Sequence, residues 1–270
     1  MKKDYNLAIK AAIEAGQEIL RIYGLPNFQT ETKEDNSPIT LADKASNEII
    51  NNFLKKTEYP IISEENEQLD YSLRKEWETV WIIDPLDGTK EFIKKNGEFT
   101  VNIALCSEGR PIFGVIYAPV LRELYYGVTA EKKSYKTILD NKHKSKQGLF
   151  YDGDLIFPGK PSKDSIRVVC SRSHMDQETS MFIKELRKKF SVVEIISKGS
   201  SLKFCILAEG GAHVYPRFAP TMEWDTAAGH AICTAVGLNV ISRTVNQEMK
   251  YNKRSLTNPD FLVHINDKSI

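Results

Sequence analysis

Several features are scarce in this 270-residue sequence, and each absence excludes a class of protein. No window approaches 18 consecutive apolar residues, so we expect no segment that spans a membrane. The formal net charge is only +1, which gives no reason to expect nucleic-acid binding through bulk electrostatics. The first residues lead into an amphipathic pattern and lack the apolar core of a signal peptide. Apolar residues make up 41% and charged residues 27%, as in an ordinary globular protein.

Cysteine is also scarce, and its spacing excludes a disulfide framework or a C-x-x-C metal site. The four cysteines, each beside apolar neighbours, are Cys106, Cys170, Cys205 and Cys233. We interpret them as buried thiols that behave as small hydrophobic side chains. This predicts a reducing cytoplasm, with peripheral association at the inner membrane left open.

The chain is predicted to have two halves joined by a connecting segment. Residues 1–130 hold helical patterns followed by several strands, and residues 166–270 alternate strands with helices. Between them, residues 131–165 are rich in lysine, carry scattered glycine and proline, and show no sustained period. The pattern predicts a mixed α/β fold.

The most informative segment is an apolar run, Val80–Ile83, that ends at Asp84. The run is typical of a strand covered on both faces, and Pro85 then removes a backbone donor. Asp87 and Gly88 follow, a pair that favours a tight turn. Two carboxylates about 4 Å apart would repel by roughly 4 kcal/mol at an effective dielectric of 20. The ordinary explanation of the segment is a turn that ends a strand. The two charges would still have to be neutralised, either by a shared proton or by a divalent cation. Oxygen ligands favour Mg²⁺ as that cation.

Three other acidic residues follow or begin predicted elements, and each also has an ordinary structural explanation. Glu64 follows a short apolar strand and could lie in a solvated loop. Asp43 stands three residues after Thr40 and could complete a capping box. Asp225 precedes an apolar helical pattern and could be a simple N-cap.

The motifs, and their order along the chain, resemble those of a known phosphatase superfamily. Asp-Pro-Leu-Asp-Gly-Thr at 84–89 and Trp-Asp-Thr-Ala-Ala-Gly at 224–229 resemble the two signatures of the inositol monophosphatase superfamily, whose members are lithium-sensitive and Mg²⁺-dependent. Segments 37–43 and 63–65 resemble two weaker motifs of the same superfamily. The resemblance implies a layered α-β-α-β-α sandwich.

The resemblance also implies a site with two or three Mg²⁺ ions. Its metal ligands would be the carboxylates of Glu64, Asp84, Asp87 and Asp225 and the carbonyl of Leu86. Asp43, Thr89 and Glu64 would position and activate the attacking water. Gly88 and Thr89 begin a predicted helix, where backbone donors could hold phosphate oxygens.

Within the superfamily, segments 96–102, 199–205 and 215–218 resemble the 3′(2′),5′-bisphosphate nucleotidases. This implies hydrolysis of 3′-phosphoadenosine 5′-phosphate (PAP) to AMP and phosphate, and also of 3′-phosphoadenosine 5′-phosphosulfate (PAPS) to adenosine 5′-phosphosulfate (APS), in sulfate assimilation. The residues expected to bind this small-molecule substrate are Gly88, Thr89, His174, Ser200, Lys203, Arg217 and Asp225. Ser200 and Lys203 are predicted to share a face at the start of one helix. Solvated surface charges would be the ordinary explanation of Lys203 and Arg217.

Two further functions stay open at this point. One is an inositol-phosphate or sugar-bisphosphate phosphatase with the same metal chemistry. The other is a non-catalytic phospho-ligand-binding protein, which would be expected to lose Asp43, Thr89 or a metal carboxylate; none is lost here. In each case we expect a monomer that binds a small molecule and no nucleic acid.

Overall fold

The computed structural model describes residues 1–26, 30–32, 38–171 and 176–265. Its α-helices are α1 (Lys2–Tyr23), α2 (Leu41–Leu54), α3 (Tyr71–Arg74), α4 (Thr89–Ile93), α5 (Gln177–Lys189), α6 (Leu202–Ala208) and α7 (Glu223–Ala235). Its strands are β1 (Thr30–Thr32), β2 (Pro38–Thr40), β3 (Ile61–Ser63), β4 (Thr79–Asp87), β5 (Thr100–Ser107), β6 (Arg110–Ala118), β7 (Glu123–Val128), β8 (Lys133–Ile138), β9 (Ser165–Ser171), β10 (Val192–Lys198), β11 (Val214–Arg217), β12 (Leu238–Ser242), β13 (Gln247–Glu248) and β14 (Phe261–Ile265). No helix among these residues is both long enough and apolar enough to cross a membrane.

The first large sheet has the strand order β3-β4-β5-β6-β7-β8. β3 is parallel to β4, and the other neighbours are antiparallel. β4 is buried on both faces because its alternating side chains enter two different cores. Trp81 and Ile83 pack in the core that contains α1 and α2, whereas Val80 and Ile82 pack in the core that contains α6 and α7. The apolar run thus fixes the centre of the fold and carries the carboxylates to its edge.

The second large sheet has the order β10-β9-β11-β14-β12-β13. β9 is parallel to both β10 and β11, as the alternating pattern predicts. α6 and α7 share one core with both sheets, and α5 packs on the other face of β9. The layers therefore run α1/α2, first sheet, α6/α7, second sheet, α5, and the expected α-β-α-β-α sandwich is confirmed.

α7 lies close to α6 because it carries Gly229 at their contact. A Cβ at Gly229 would lie 2.3 Å from the ring of Phe204, far inside van der Waals contact. The glycine of the Ala-Ala-Gly motif therefore allows the two helices to approach, and this approach brings the start of α7 beside the end of β4.

Candidate functional site

A cavity of about 310 Å³ lies where the ends of several elements meet. These are the end of β4, the start of α4, the segment before α6, the end of β11 and the start of α7. The cavity is lined by Glu64, Asp84, Leu86, Asp87, Gly88, Thr89, Lys90, Glu91, Ser171, Gly199, Ser200, Ser201, Lys203, Phe204, Tyr215, Arg217, Thr221, Asp225 and Thr226. It brings together the predicted site residues except Asp43, which contacts it through Thr89, and His174, which lies outside the described residues.

The end of β4 is irregular, and the irregularity exposes its carboxylates to the cavity. The pairing of β4 with β5 shifts register between Asp84 and Asp87. The carbonyl of Pro85 accepts a hydrogen bond from Ser46 Oγ at 2.6 Å, which ties the bend to α2. Gly88 follows at φ 96°, a left-handed conformation that suits glycine. A Cβ there would lie 3.1 Å from the Glu98 carbonyl oxygen, so glycine also allows the close backbone approach.

Asp43 combines the two roles that the sequence left open. Its Oδ2 accepts hydrogen bonds from the Thr40 backbone N at 2.7 Å and from Thr40 Oγ1 at 2.6 Å, which completes the capping box of α2. Its Oδ1 accepts a hydrogen bond from Thr89 Oγ1 at 3.0 Å. The helix cap therefore fixes the carboxylate that holds the Thr89 hydroxyl.

We call Glu64, Asp84, Asp87 and Asp225 the acidic wall. Burial raises the pKa of Asp84 well above its ordinary value, and the charges of Glu64, Asp87 and Asp225 raise it further. Burial also raises the pKa of Asp225 to about 8, with Asp87 as the next cause. The Met222 N–H and the charge of Arg217 oppose this rise in the pKa of Asp225. The other members of the wall thus lie near enough to disfavour the ionisation of Asp84.

Three carboxylates of the acidic wall share one arrangement: one oxygen is held and the other is not. Asp84 Oδ1 accepts from the Leu86 N–H at 3.1 Å, and Asp225 Oδ2 accepts from the Met222 N–H at 2.7 Å. Asp87 Oδ2 accepts from Ser201 Oγ at 2.5 Å. No donor in the described part of the chain reaches the second oxygen of any of the three.

This donor set suits a hard divalent cation. Carboxylate oxygens are the ligands that Mg²⁺ prefers, and a cation would offset both the burial and the neighbouring charges that raise the pKa of Asp84. Within the described ranges, no three His, Cys, Asp or Glu side chains are arranged so that they could hold an ion as they stand. The acidic wall therefore lines the cavity without forming a closed ion site among the described residues.

We call Lys203 and Arg217 the basic wall. Lys203 is only 6% exposed, so the explanation as a solvated surface charge is wrong for this residue. Burial lowers its pKa to about 8, the charge of Asp87 opposes this, and the charge of Arg217 lowers it further. Its Nζ donates to the Ser200 carbonyl and lies 5.5 Å from the centroid of the Tyr215 ring. Two positively charged side chains therefore lie near each other, and Lys203, one of the two, is buried.

Two polar atoms beside the basic wall are buried without a partner in the described structure: Arg217 Nε and Ser200 Oγ. Arg217 Nη2 donates to the Pro220 carbonyl at 3.2 Å, so its guanidinium is held at one end only. The predicted helical position of Ser200 is wrong, because α6 begins at Leu202 and Ser200 has φ 43°. Ser200 and Lys203 are neighbours because the lysine side chain reaches back to the serine carbonyl, and not because they share a helix face.

Sequence reasoning missed Ser201 and Asn102. Ser201 Oγ contacts Asp87, and Asn102 Nδ2 donates to Ser201 Oγ at 2.8 Å. One signal was available for Asn102, since it is a polar residue inside the otherwise apolar strand β5. Its partner could not be read from that signal, because the two residues are 99 positions apart.

A sequence model described as the inositol monophosphatase family matches residues 1–267 of this chain. The chain belongs to the inositol monophosphatase family. Enzymes of this family are generally metal-dependent, which agrees with the donor chemistry of the acidic wall.

Individual relatives extend this result. The chain is 42% identical over 258 residues to the 3′(2′),5′-bisphosphate nucleotidase CysQ of Salmonella typhimurium, covering 94% of this chain and 96% of the relative. It is 41% identical over 258 residues to the CysQ of Escherichia coli K12, with the same coverage. The crystal structure of CysQ from Bacteroides thetaiotaomicron superimposes with a TM-score of 0.87 at 46% identity and covers 99% of each chain. An inositol monophosphatase of Thermotoga maritima, 20% identical with a TM-score of 0.73, shares the fold.

Proposed function

We propose that this chain is a Mg²⁺-dependent 3′(2′),5′-bisphosphate nucleotidase that hydrolyses the 3′-phosphate of PAP to give AMP and phosphate. The observation that supports this most directly is that one cavity has an acidic wall and a basic wall. The first suits cations and a reacting phosphate, and the second suits another anion. The names of the relatives, which are 3′(2′),5′-bisphosphate nucleotidases, support the same assignment. We also expect PAPS to be converted to APS, in sulfate assimilation.

In this proposal the acidic wall and the Leu86 carbonyl hold two or three Mg²⁺ ions. When bound, the ions would neutralise the carboxylates, activate water and stabilise the charge that develops in an in-line displacement. The protein contributes a rigid set of donors, because one oxygen of each aspartate is already held by a hydrogen bond. The Gly88 and Thr89 N–H groups at the start of α4 would hold oxygens of the scissile phosphate.

Thr89 would orient the attacking water. Its hydroxyl hydrogen is directed to Asp43 Oδ1 at 3.0 Å, so a lone pair of Oγ1 is available to accept a hydrogen bond from water. Asp43 would take up proton density from Thr89 as the water attacks, and Glu64 would help to hold the water. The capping box keeps Asp43 in place during this step.

The basic wall would bind the 5′-phosphate, which does not react. The charge of Arg217 lowers the pKa of the buried Lys203, and a phosphate dianion between the two side chains would relieve that repulsion. Arg217 Nε and Ser200 Oγ, both without a partner among the described residues, would gain hydrogen bonds to the nucleotide. The role of His174 in the same pocket stays a prediction, as do the monomeric state and the cytoplasmic location.

The test is a substrate panel scored by phosphate release with and without Mg²⁺. PAP, PAPS, inositol 1-phosphate and fructose 1,6-bisphosphate would be compared at equal concentrations. We expect the highest kcat/KM for PAP and no activity in excess EDTA. A preference for inositol 1-phosphate would overturn the substrate assignment, and full activity in EDTA would overturn the metal assignment. Binding without phosphate release from any substrate would point to a non-catalytic protein.

A further inference from the structure

Ser201 lies between two residues of the acidic wall that come from different parts of the fold. Its Oγ lies 2.5 Å from Asp87 Oδ2, at the end of β4, and 3.0 Å from the backbone carbonyl of Asp225, in α7. Ser201 is only 2% exposed, so water does not compete effectively for these contacts. The residue therefore lies at the junction of the first sheet and the helix layer.

Asn102 fixes the direction in which the Ser201 hydroxyl donates. Asn102 Nδ2 lies 3.2 Å from the carboxylate oxygen Asp87 Oδ2, an acceptor, which identifies that atom as the amide nitrogen, and Thr100 Oγ1 donates to Asn102 Oδ1 at 3.0 Å. The amide nitrogen then donates to Ser201 Oγ at 2.8 Å and to Asp87 Oδ2 at 3.2 Å. Because Ser201 accepts from Asn102, its one hydrogen is available for Asp87 Oδ2, the nearer acceptor.

We propose that Ser201, supported by Asn102, is a positioning residue for the cation site. Two donors occupy Asp87 Oδ2, so Oδ1 is the oxygen left to bind a cation. The same Oγ lies 3.0 Å from the Asp225 backbone carbonyl, so the side chain that holds Asp87 is located between the end of β4 and the start of α7. This inference rests on the proposed function, in which both carboxylates hold Mg²⁺.

A purely structural role would have different consequences. A buried serine that only stabilises the fold can be replaced at a cost in stability, with no particular effect on metal affinity. Residues that orient metal ligands instead change metal affinity or activity about 10- to 100-fold when they are replaced. Metal affinity, measured without substrate, therefore separates the two roles.

The experiment compares Ser201→Ala, Ser201→Thr and the control Ser134→Ala. Ser134 is also buried and also loses one hydrogen bond, from its Oγ to the Ile232 carbonyl, but it does not line the cavity. Mg²⁺ binding would be measured by isothermal titration calorimetry on the metal-free folded proteins, followed by kcat and KM for PAP at saturating Mg²⁺.

We expect Ser201→Ala to weaken Mg²⁺ binding about tenfold or more and to leave KM for PAP nearly unchanged. Ser134→Ala should bind Mg²⁺ as the wild type does, and Ser201→Thr should retain more affinity because it keeps the hydroxyl. Equal Mg²⁺ affinity in Ser201→Ala and Ser134→Ala would overturn the inference, as would equal losses in Ser201→Ala and Ser201→Thr.

Two further variants keep the result interpretable. If Ser201→Ala does not fold, Asn102→Ala removes the supporting donor and should weaken Mg²⁺ binding in the same direction; unchanged affinity there contradicts the inference. Asp87→Asn tests the metal assignment itself. If Asp87→Asn binds Mg²⁺ as the wild type does, the proposed function fails; if it loses binding while Ser201→Ala does not, only the positioning role fails.

Discussion

The acidic wall and the basic wall hold like charges in one cavity, but they hold them in different ways. In the acidic wall, three carboxylates each have one oxygen fixed by a donor close to the site. In the basic wall, Lys203 is anchored to the carbonyl of Ser200, whereas Arg217 Nε has no partner in the described structure. The acidic wall is therefore the more completely positioned of the two, as reacting groups require.

This difference predicts which substitutions should affect all substrates and which should affect only some of them. Under the proposed function, every phosphate monoester that reacts here would use the acidic wall. Only a substrate with a second anion should use the basic wall. Four predictions sharpen this division, ordered from the largest expected effect to the smallest.

Asp87→Asn keeps the shape of the side chain and removes one charge from the acidic wall. We expect a loss of more than about 100-fold in kcat for PAP and inositol 1-phosphate alike, since even residues that only orient metal ligands cost 10- to 100-fold. Phosphate release measures this. The unfolding midpoint without metal should not fall, because the substitution relieves repulsion with Asp84 and Asp225. Activity near that of the wild type would contradict the role of the acidic wall.

Lys203→Met keeps the length of the side chain and removes one charge from the basic wall. We expect kcat/KM for PAP to fall about 10- to 100-fold, the equivalent of a hydrogen bond to a charged group worth about 1.5–3 kcal/mol. Inositol 1-phosphate, which lacks the second anion, should be much less affected. Parallel kinetics on both substrates check this, with Lys184→Met as a matched control on an exposed lysine of α5 that does not line the cavity. Equal losses on both substrates would show that the two walls are not separate in function.

Lithium should inhibit through the acidic wall alone, as the family resemblance implies. We expect millimolar Li⁺ to reduce the rate at limiting Mg²⁺, because it would compete for one cation position. The inhibition should be the same in the wild type and in Lys203→Met, since the basic wall binds no cation. Rates titrated with Li⁺ and with Na⁺ as a control measure the effect. No difference between the two salts would count against a shared cation position.

The smallest effect concerns the stability of the metal-free protein. The pKa of Asp225 is raised from 3.8 to about 8 on folding, so the folded state keeps a proton that the unfolded chain has lost at intermediate pH. Stability should therefore fall as pH rises from about 4 to about 8. Lys203 adds no slope in that window, because it is charged in both states below its pKa of about 8.

Thermal unfolding in EDTA at pH 6 and pH 8 tests this. We expect a midpoint several degrees lower at pH 8, at about 2 to 4 °C per kcal/mol for a chain of this size. Mg²⁺ should raise the midpoint more at pH 8, where it replaces the lost proton. Asp225→Asn should flatten the pH dependence. Equal midpoints at both pH values in EDTA would contradict the raised pKa of the buried Asp225.

The alternation of strands and helices follows from periodicity, which depends on neighbours a few residues away, whereas the layered sandwich was implied only by the resemblance to the superfamily. The alternation predicted for residues 166–270 is observed, for example, where α5 joins the parallel strands β9 and β10. The capping box of Thr40 and Asp43 could likewise be predicted, because its atoms are three residues apart. The helix expected to open near Ser200 begins at Leu202, since the left-handed backbone at Ser200 interrupts it. The division into halves at 131–165 stays a prediction.

By itself, the sequence determined that a buried strand ends in two carboxylates and that the ligands available there are oxygens. These properties are local, since neighbouring residues dictate strand burial, turns and caps. Only the tertiary structure decided that Lys203 is buried beside Arg217, and that Ser201 and Asn102 hold Asp87. Burial and charge pairing depend on residues far apart in the chain: Ser201 and Asp87 are 114 positions apart, and only the packing of α6 and α7 between the sheets brings them together.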